Sequence, residues 1–132
     1  MFEVSKIMNR DVVSVNSHTH VYDAMNLLIE NRISGLPVVD DENNLIGIIS
    51  EKDMLGLLVE REISKDQLVG DFMTRNVKTF APEDSIIDIS EFFISSHVRR
   101  VPIVKEGKLA GVISRADIIK LIVELRGQSH DG

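Results

Sequence analysis

The chain of 132 residues contains no cysteine. It can therefore form no disulfide framework or zinc–thiolate site, and it has no cysteine nucleophile. No apolar run approaches the roughly 18 residues that a membrane-spanning helix needs. The first residues, Met-Phe-Glu-Val-Ser-Lys, lack the basic and then apolar pattern of a signal peptide. From these absences we expect a cytoplasmic protein that does not engage a membrane.

Positive charge is also scarce. There are 15 lysine and arginine residues against 21 aspartate and glutamate residues, so the formal net charge is −6. Nonspecific binding to nucleic acid depends on a basic surface that neutralises phosphates, and the acidity disfavours it. A local basic pocket for one small anionic ligand is compatible with the same charge. The length suits one compact domain or two very small halves that share a core.

The familiar sequence motifs of enzymes are missing as well. The chain has no G-x-x-x-x-G-K, no G-x-G-x-x-G and no G-x-S-x-G sequence. His18 and His20 form a His-x-His pair, but no carboxylate or cysteine cluster at suitable spacing completes a metal site. No set of nucleophile, base and orienting group emerges. We expect no enzyme activity, no catalytic residue and no metal.

One stretch is present twice, as Ile-Gly-Ile-Ile-Ser-Glu-Lys-Asp at 46–53 and as Ala-Gly-Val-Ile-Ser-Arg-Ala-Asp at 110–117. Each copy predicts a buried strand that leads directly into a helix, with a serine at the junction and an aspartate in the first turn. The hydroxyl, the free N–H groups and the carboxylate could bind a phosphate and a ribose. Alternatively, Ser-x-x-Asp is a plain helix-capping arrangement.

The duplication extends over most of the chain. An offset of 65 residues, which becomes 64 after one residue is dropped in a turn, aligns Met8 with Met73, Asp23 with Asp88, Pro37 with Pro102, Gly47 with Gly111 and Asp53 with Asp117. We interpret this as an internal repeat whose two halves pack about a pseudo-twofold axis. The expected division is repeat one at 1–62, a linker at 63–70, repeat two at 71–126 and a flexible tail at 127–132.

Each repeat predicts an α/β unit with the order strand, helix, strand, strand, helix. In repeat one, strands are expected at 12–15, 36–39 and 45–49, and helices at 20–31 and 51–60. In repeat two, strands are expected at 77–80, 101–104 and 109–113, and helices at 84–96 and 115–126. A tight hairpin turn at Glu106-Gly107 explains the dropped residue.

This order and these motifs resemble the CBS domain, named for cystathionine β-synthase. The resemblance is carried by Leu-Pro-Val-Val-Asp at 36–40 with the motif at 47–53, and by Val-Pro-Ile-Val at 101–104 with the motif at 111–117. The openings Ile-Met-Asn-Arg-Asp-Val at 7–12 and Phe-Met-Thr-Arg-Asn-Val at 72–77 resemble the start of the family's repeat. The likeness covers roughly residues 5 to 126.

The resemblance implies a tandem fold, the Bateman module, that binds adenosine-containing ligands in clefts between its repeats. We therefore expect a regulatory, energy-sensing module that binds an adenine nucleotide (AMP, ADP or ATP) and acts on an unidentified partner protein. One alternative is a dimerising adaptor with empty clefts. Another is a module for a different adenosyl ligand, such as S-adenosylmethionine or NAD.

By the same resemblance, each cleft takes its ribose and phosphate contacts from one repeat and its base contacts from the other. The implied first site comprises Ser50, Lys52, Asp53, Met73, Val77, Lys78, Val98, Arg99 and Arg100. The implied second site comprises Ser114, Arg115, Asp117, Met8, Val12, Val13, Ile33, Ser34 and Gly35. The first site has more cations, so we expect it to prefer more phosphates and the second to be weaker or to take a less charged ligand.

Some of these residues have simpler explanations. Arg99 and Arg100 could protect a strand edge from pairing, and Met8 and Met73 could fill the core. The stretches Phe-Phe-Ile at 92–94 and Leu-Ile-Val at 121–123 put apolar residues on more than one helix face. For that reason we expect a homodimer formed through helices of both repeats.

Overall fold

The computed structural model describes residues 2–60 and 64–130. After a short 3₁₀ helix at Val4–Lys6, the elements are α1 Val21–Asn31, β1 Gly35–Val39, β2 Leu45–Ser50, α2 Glu51–Glu60, α3 Val69–Phe72, α4 Ile86–Ser95, β3 Arg100–Lys105, β4 Lys108–Ser114 and α5 Arg115–His130. Strands β1 and β2 form one two-stranded sheet, and β3 and β4 form another. The α/β class and the two repeats are confirmed.

The strands expected at 12–15 and 77–80 are an error of the sequence analysis. Val15 makes a single parallel bridge to Val38, and Phe80 makes a single parallel bridge to Ile103. The chain turns away directly after each bridge, because Thr19 donates to the carbonyl of Asn16 and Asp84 donates to that of Ala81. Residues 12–14 and 77–79, on the other side of each bridge, pair with no strand among the described residues.

Other boundaries shift by one to four residues. Helix α1 begins after His20 rather than at it, and α4 begins after Ser85, whose hydroxyl accepts from the Ile87 N–H. Helix α5 continues through Gly127 to His130, where a tail was expected from residue 127. One glycine inside a helix is tolerated at a cost of about 1 kcal/mol. Residues 131 and 132 of that expected tail, and residues 61–63, part of which belong to the expected linker, lie outside the described residues.

The chain forms two compact units that do not coincide with the two sequence repeats. The unit we call A consists of 13–77 and 107–109, and the unit we call B consists of 1–12, 78–106 and 110–132. Each unit therefore contains the body of one repeat together with the opening segment of the other. As a result, the opening of each repeat shares a unit with the Ser-x-x-Asp motif of the other repeat.

Unit A has its own core, in which α1 and α2 pack against β1 and β2. The buried positions of α1 are Val21, Ala24 and Leu28, spaced so that they share one helix face. The rest of this core is Val15, Leu36, Val38, Ile49, Met54, Leu57 and Val69. Val69 lies just before the opening of repeat two, and its N–H donates to the carbonyl of Thr19.

Unit B repeats the plan with the opening of repeat one. Its core contains Val4, Met8, Ile86, Ile89, Phe93, Val101, Ile103, Ile113 and Ile118. Val4 is fully buried, and its N–H donates to the carbonyl of Asp84 at 2.8 Å. The Ile86 N–H donates in turn to the carbonyl of Phe2. The start of the chain is thus fixed to the body of repeat two.

The two hairpins differ in their turns, as expected from the dropped residue. Glu106 and Gly107 both have positive φ, of 53° and 84°, which is the pattern of a type I′ turn. The first hairpin uses a longer turn in which the Asp40 carboxylate accepts from the backbone of Glu42 and Asn44. Within unit A, the Gly107 carbonyl accepts from the Leu45 N–H, so the tip of the second hairpin pairs with this turn.

None of the helices in the described parts of the chain combines the length and the apolar character that a bilayer crossing requires.

Candidate functional site

In unit A, Ser50 and Asp53 form a closed hydrogen-bonded ring at the start of α2. The Asp53 Oδ2 atom accepts from the Ser50 N–H and from the Ser50 hydroxyl, both at 2.9 Å. The Ser50 hydroxyl in turn accepts from the Asp53 N–H at 3.3 Å. This is the capping arrangement that the motif allows, and it presents the carboxylate at the positive end of the helix.

A second hydroxyl reaches the same carboxylate from the opening of repeat two. Thr74 donates its side-chain proton to Asp53 Oδ1 at 3.2 Å. Its backbone is held in place because Ile48 and Thr74 exchange two hydrogen bonds, of 2.9 and 2.8 Å. Thr74 was not among the site residues predicted from the sequence. It follows Met73 directly in the Met-Thr-Arg opening, but nothing in the sequence indicated that this opening would pair with β2.

In unit B, Ser114 and Asp117 build the corresponding ring at the start of α5. Asp117 Oδ2 accepts from the Ser114 N–H at 2.8 Å, and the Ser114 hydroxyl accepts from the Asp117 N–H at 3.2 Å. The pair of exchanged backbone hydrogen bonds, which we call a backbone rung, is also repeated. Asn9 and Val112 exchange hydrogen bonds of 2.8 and 2.9 Å. Asn9, the counterpart of Thr74, accepts instead from the Asp11 N–H. Half-buried Asp117 thus receives no hydroxyl from the opening segment.

The motif glycines are required by these backbone rungs. A Cβ atom on Gly47 would lie 2.7 Å from the Thr74 carbonyl oxygen and 3.0 Å from the Met73 sulfur. A Cβ atom on Gly111 would lie 2.9 Å from the Asn9 carbonyl oxygen and 2.9 Å from the Met8 sulfur. Glycine lets the opening segment approach β2 or β4 closely enough to place a methionine beside the serine–aspartate ring.

The two methionines serve as packing residues at these crossings. Met8 is buried in the core of unit B, and Met73 is half-buried against the core of unit A. This agrees with the core-filling explanation and also places each methionine in the unit that contains its expected aspartate. Val77 shares unit A with Asp53, and Val12 shares unit B with Asp117.

Three of the residues expected to serve the opposite repeat's aspartate, Ser34, Gly35 and Arg99, lie beside the motif of their own repeat. In unit A, Gly35 pairs with Ser50, and the Ser34 carbonyl accepts from the Glu51 N–H at 2.9 Å. In unit B, the Arg99 carbonyl accepts from the Arg115 N–H at 3.0 Å. Ser34 and Gly35 are in unit A, and Asp117, the aspartate they are expected to serve, is in unit B; Arg99 is in unit B, and its expected aspartate, Asp53, is in unit A. These assignments stay predictions.

Arg115, expected to be the main cation of the second site, is engaged at the end of α4. Its guanidinium donates to the carbonyls of Phe93 at 2.8 Å, Ser96 at 2.6 Å and Val98 at 2.9 Å. These carbonyls lie where a helix terminates and needs donors. The side chain also lies over the Phe93 ring, 5.8 Å from its centroid. A capping role therefore explains this arginine without a ligand.

The remaining candidates are exposed or half-buried. Lys52 is exposed in the first turn of α2, and Arg100 is half-buried at the start of β3. The Lys78 ammonium lies 4.9 Å from the centroid of the Phe80 ring, a cation–π arrangement within unit B. Val13 and Ile33 are half-buried against the core of unit A.

The sequence model of the CBS domain matches this chain twice, at residues 4–60 and 69–124. The chain belongs to the CBS domain family. The two matches cover the segments that contain the serine–aspartate rings and the openings that cross them.

Among curated CBS relatives, the uncharacterized protein MJ1225 of Methanocaldococcus jannaschii is 31% identical over 90% of this chain, which spans 42% of that protein. Inosine-5'-monophosphate dehydrogenase of Aquifex aeolicus is 39% identical over 82% of the chain, which spans only 22% of that enzyme. The chain is therefore shorter than half of either relative. Its likeness to the dehydrogenase is confined to the CBS part.

A crystal structure of Arabidopsis thaliana CBSX2 in complex with AMP shares the CBS-pair fold with this chain. The TM-score is 0.86 and the identity 28%, and the alignment covers 96% of this chain and 99% of that one. Because the coverage is nearly complete on both sides, the likeness extends to both repeats and to both openings.

Proposed function

We propose that this chain is a regulatory CBS-pair module, without catalytic activity of its own, that binds an adenosine-containing ligand, with adenine nucleotides as the first candidates. The observation that carries the proposal is the likeness to CBSX2 in complex with AMP, together with two half-buried Ser-x-x-Asp rings at helix starts. A carboxylate at such a position can accept hydrogen bonds from ribose hydroxyls, and the helix end favours an anion.

Asp53 and Asp117 are proposed as the ribose acceptors. The remaining expected contacts are retained as proposals on the family resemblance, namely Ser50, Lys52, Met73, Val77, Lys78, Val98, Arg99 and Arg100 for the first site and Ser114, Arg115, Met8, Val12, Val13, Ile33, Ser34 and Gly35 for the second. Arg99 and Arg100 are proposed to bind phosphate oxygens, because a guanidinium offers two parallel donors.

Binding would act on the angle or spacing of the helices whose starts hold the ligand. The size of any signal is limited by the difference in ligand affinity between the two arrangements. The regulated protein and a cytoplasmic location remain predictions. A homodimer through helices of both repeats is proposed on exposed apolar side chains, such as Val59 in unit A, which is 80% exposed, and Ile94 in unit B, which is 85% exposed.

The alternative function is a dimerising adaptor that binds no nucleotide. Thermal unfolding in the presence of AMP, ADP, ATP, S-adenosylmethionine and NAD separates the two functions. A ligand that binds only the folded state raises the melting temperature, and the increase grows with the logarithm of the ligand concentration relative to its Kd. We expect an increase with at least one adenine nucleotide and a smaller increase in the Asp53→Ala and Asp117→Ala variants. Indifference to all five ligands would favour the adaptor, and light scattering would then determine whether it is a dimer.

A further inference from the structure

We infer that the Thr74 hydroxyl weakens ribose binding at Asp53, so that the Asp117 site takes the ribose of an adenosine-containing ligand first. The inference rests on the proposed function. It adds the order in which the two sites bind the ligand, which the similarity of the two motifs does not indicate. The Asp53 carboxylate accepts two hydrogen bonds that have no counterpart at Asp117 among the described residues, one from the Ser50 hydroxyl and one from the Thr74 hydroxyl, and the second of these can be tested by substitution.

The Asp53 carboxylate is nearly saturated by its own surroundings. It accepts from the Ser50 N–H, from the Ser50 hydroxyl and from the Thr74 hydroxyl. A carboxylate has about four acceptor positions, so about one remains. The two adjacent hydroxyls of a ribose donate two hydrogen bonds, and the second must therefore displace an existing donor.

The Thr74 hydroxyl is the donor that can leave. Ser50 is fixed to Asp53 by the helix cap, in which both its N–H and its hydroxyl take part. Thr74 is exposed and its contact is the longest of the three, at 3.2 Å. Rotation of its side chain would release Asp53 Oδ1 without disturbing the backbone rung to Ile48. Ribose binding at this site therefore includes the loss of one charge-assisted hydrogen bond.

Ribose binding at Asp117 breaks no such hydrogen bond. It accepts from the Ser114 N–H through Oδ2, and no other donor among the described residues reaches its carboxylate. The carboxylate can therefore accept both ribose hydroxyls while the cap stays intact. The cause lies in the side chain and not in the backbone, because Asn9 occupies the same rung beside Val112 that Thr74 occupies beside Ile48.

The Asp117 site is thus expected to bind ribose first, whereas the number of cations in each site favours the first site, that of Asp53, for ligands with several phosphates. Adenosine separates the two effects, because it has the ribose and the base but no phosphate. With adenosine we expect the Asp117 site to be the tighter one. The Asp53→Ala and Asp117→Ala variants assign each observed affinity to its site.

The test is isothermal titration with adenosine, with AMP alongside. Thr74→Val, which keeps the shape and removes the hydroxyl, is expected to tighten adenosine at the Asp53 site by roughly three- to tenfold. Thr74→Ser is expected to restore the wild-type value. Asn9→Thr places a hydroxyl at the matched rung and is expected to weaken the Asp117 site by a similar factor. It also serves as the second test if Thr74→Val does not fold.

Wild-type or weaker adenosine affinity at the Asp53 site of Thr74→Val, or wild-type affinity at the Asp117 site of Asn9→Thr, overturns the inference. A melting temperature lowered in Thr74→Val with unchanged adenosine affinity also overturns it, because the hydrogen bond is then only structural. In each of these cases aspartate-dependent AMP binding leaves the proposed function standing. Absence of adenosine binding in the wild-type protein overturns the inference, and absence of binding by AMP, ADP, ATP, S-adenosylmethionine and NAD as well overturns the proposed function too.

Discussion

A Cβ atom on Gly47 would lie 2.7 Å from the carbonyl oxygen of Thr74. The same oxygen accepts a hydrogen bond from the Ile48 N–H, so it cannot move away without breaking the rung. Gly111 stands in the same relationship to Asn9. In both repeats, the glycine before the Ser-x-x-Asp sequence is needed so that the opening of the other repeat can cross β2 or β4.

Gly47→Ala and Gly111→Ala are therefore expected to lower the free energy of unfolding by about 1–3 kcal/mol, the usual cost of overpacking against atoms that cannot shift. Urea denaturation followed by circular dichroism measures this. Gly56→Ala is the matched control, because a Cβ atom on Gly56 in α2 meets nothing within 4 Å. That control should gain about 0.5–1 kcal/mol. Equal stability of the Gly47→Ala variant and the wild type would contradict the account.

Arg115→Ala is expected to lower the free energy of unfolding by about 1–2 kcal/mol, because three carbonyls at the end of α4 lose a charged donor. Arg126→Ala, an exposed arginine of the same helix, is the control and should change stability by less than about 0.5 kcal/mol. Thermal and urea unfolding both report the difference. Matching effects of the two substitutions would show that the capping contacts contribute nothing.

The turn before β2 is expected to respond to acid. Hydrogen bonds from the Asn44 backbone and side chain, with smaller effects of Glu42 and Lys108, hold the pKa of Asp40 below its ordinary value of 3.8. A carboxyl whose pKa is lower in the folded state adds stability above its unfolded pKa. That contribution is lost as the pH falls through the folded pKa. NMR titration of the carboxyl should show the low pKa, and Asp40→Asn should flatten the fall of stability below pH 4. An ordinary pKa for Asp40 would contradict this.

Arg100→Ala is expected to weaken ATP binding by roughly tenfold or more while changing adenosine binding little, because only the phosphates need the guanidinium. Calorimetric titration of both ligands gives the ratio. Arg126→Ala again provides a control that removes one positive charge from an exposed position. An unchanged ratio of ATP to adenosine affinity would show that Arg100 does not bind phosphate and serves only to protect the edge of β3.

The sequence predicted the fold because the signals that determine it are local and duplicated. The motif at 46–53 and its copy at 110–117 placed β2, α2, β4 and α5 within about one residue at their shared junctions. It also indicated that Ser50 and Asp53 would meet, because a residue and its third neighbour lie together at a helix start. A serine–aspartate site at a helix start was predictable because both residues belong to one short local motif.

The rest depended on contacts that are distant in sequence. Thr74 reaches Asp53 across 21 positions through a backbone rung that no periodicity reveals. Arg115 looked like a ligand cation because its helix-end carbonyls lie 17 to 22 positions away. The short strands at 12–15 and 77–80 were overestimated because their β-branched residues suit a strand, whereas only Val15 and Phe80 pair with a neighbouring strand among the described residues.

Isothermal titration of AMP into the wild-type protein and into the Asp53→Ala and Asp117→Ala variants tests the central claim most directly. We expect AMP to bind the wild-type protein and each substitution to abolish binding at one site while the protein stays folded by circular dichroism. AMP binding that survives in a variant with both substitutions would contradict the claim that these two carboxylates bind an adenosine-containing ligand, and so would the absence of binding by all of AMP, ADP, ATP, S-adenosylmethionine and NAD to the folded wild-type protein.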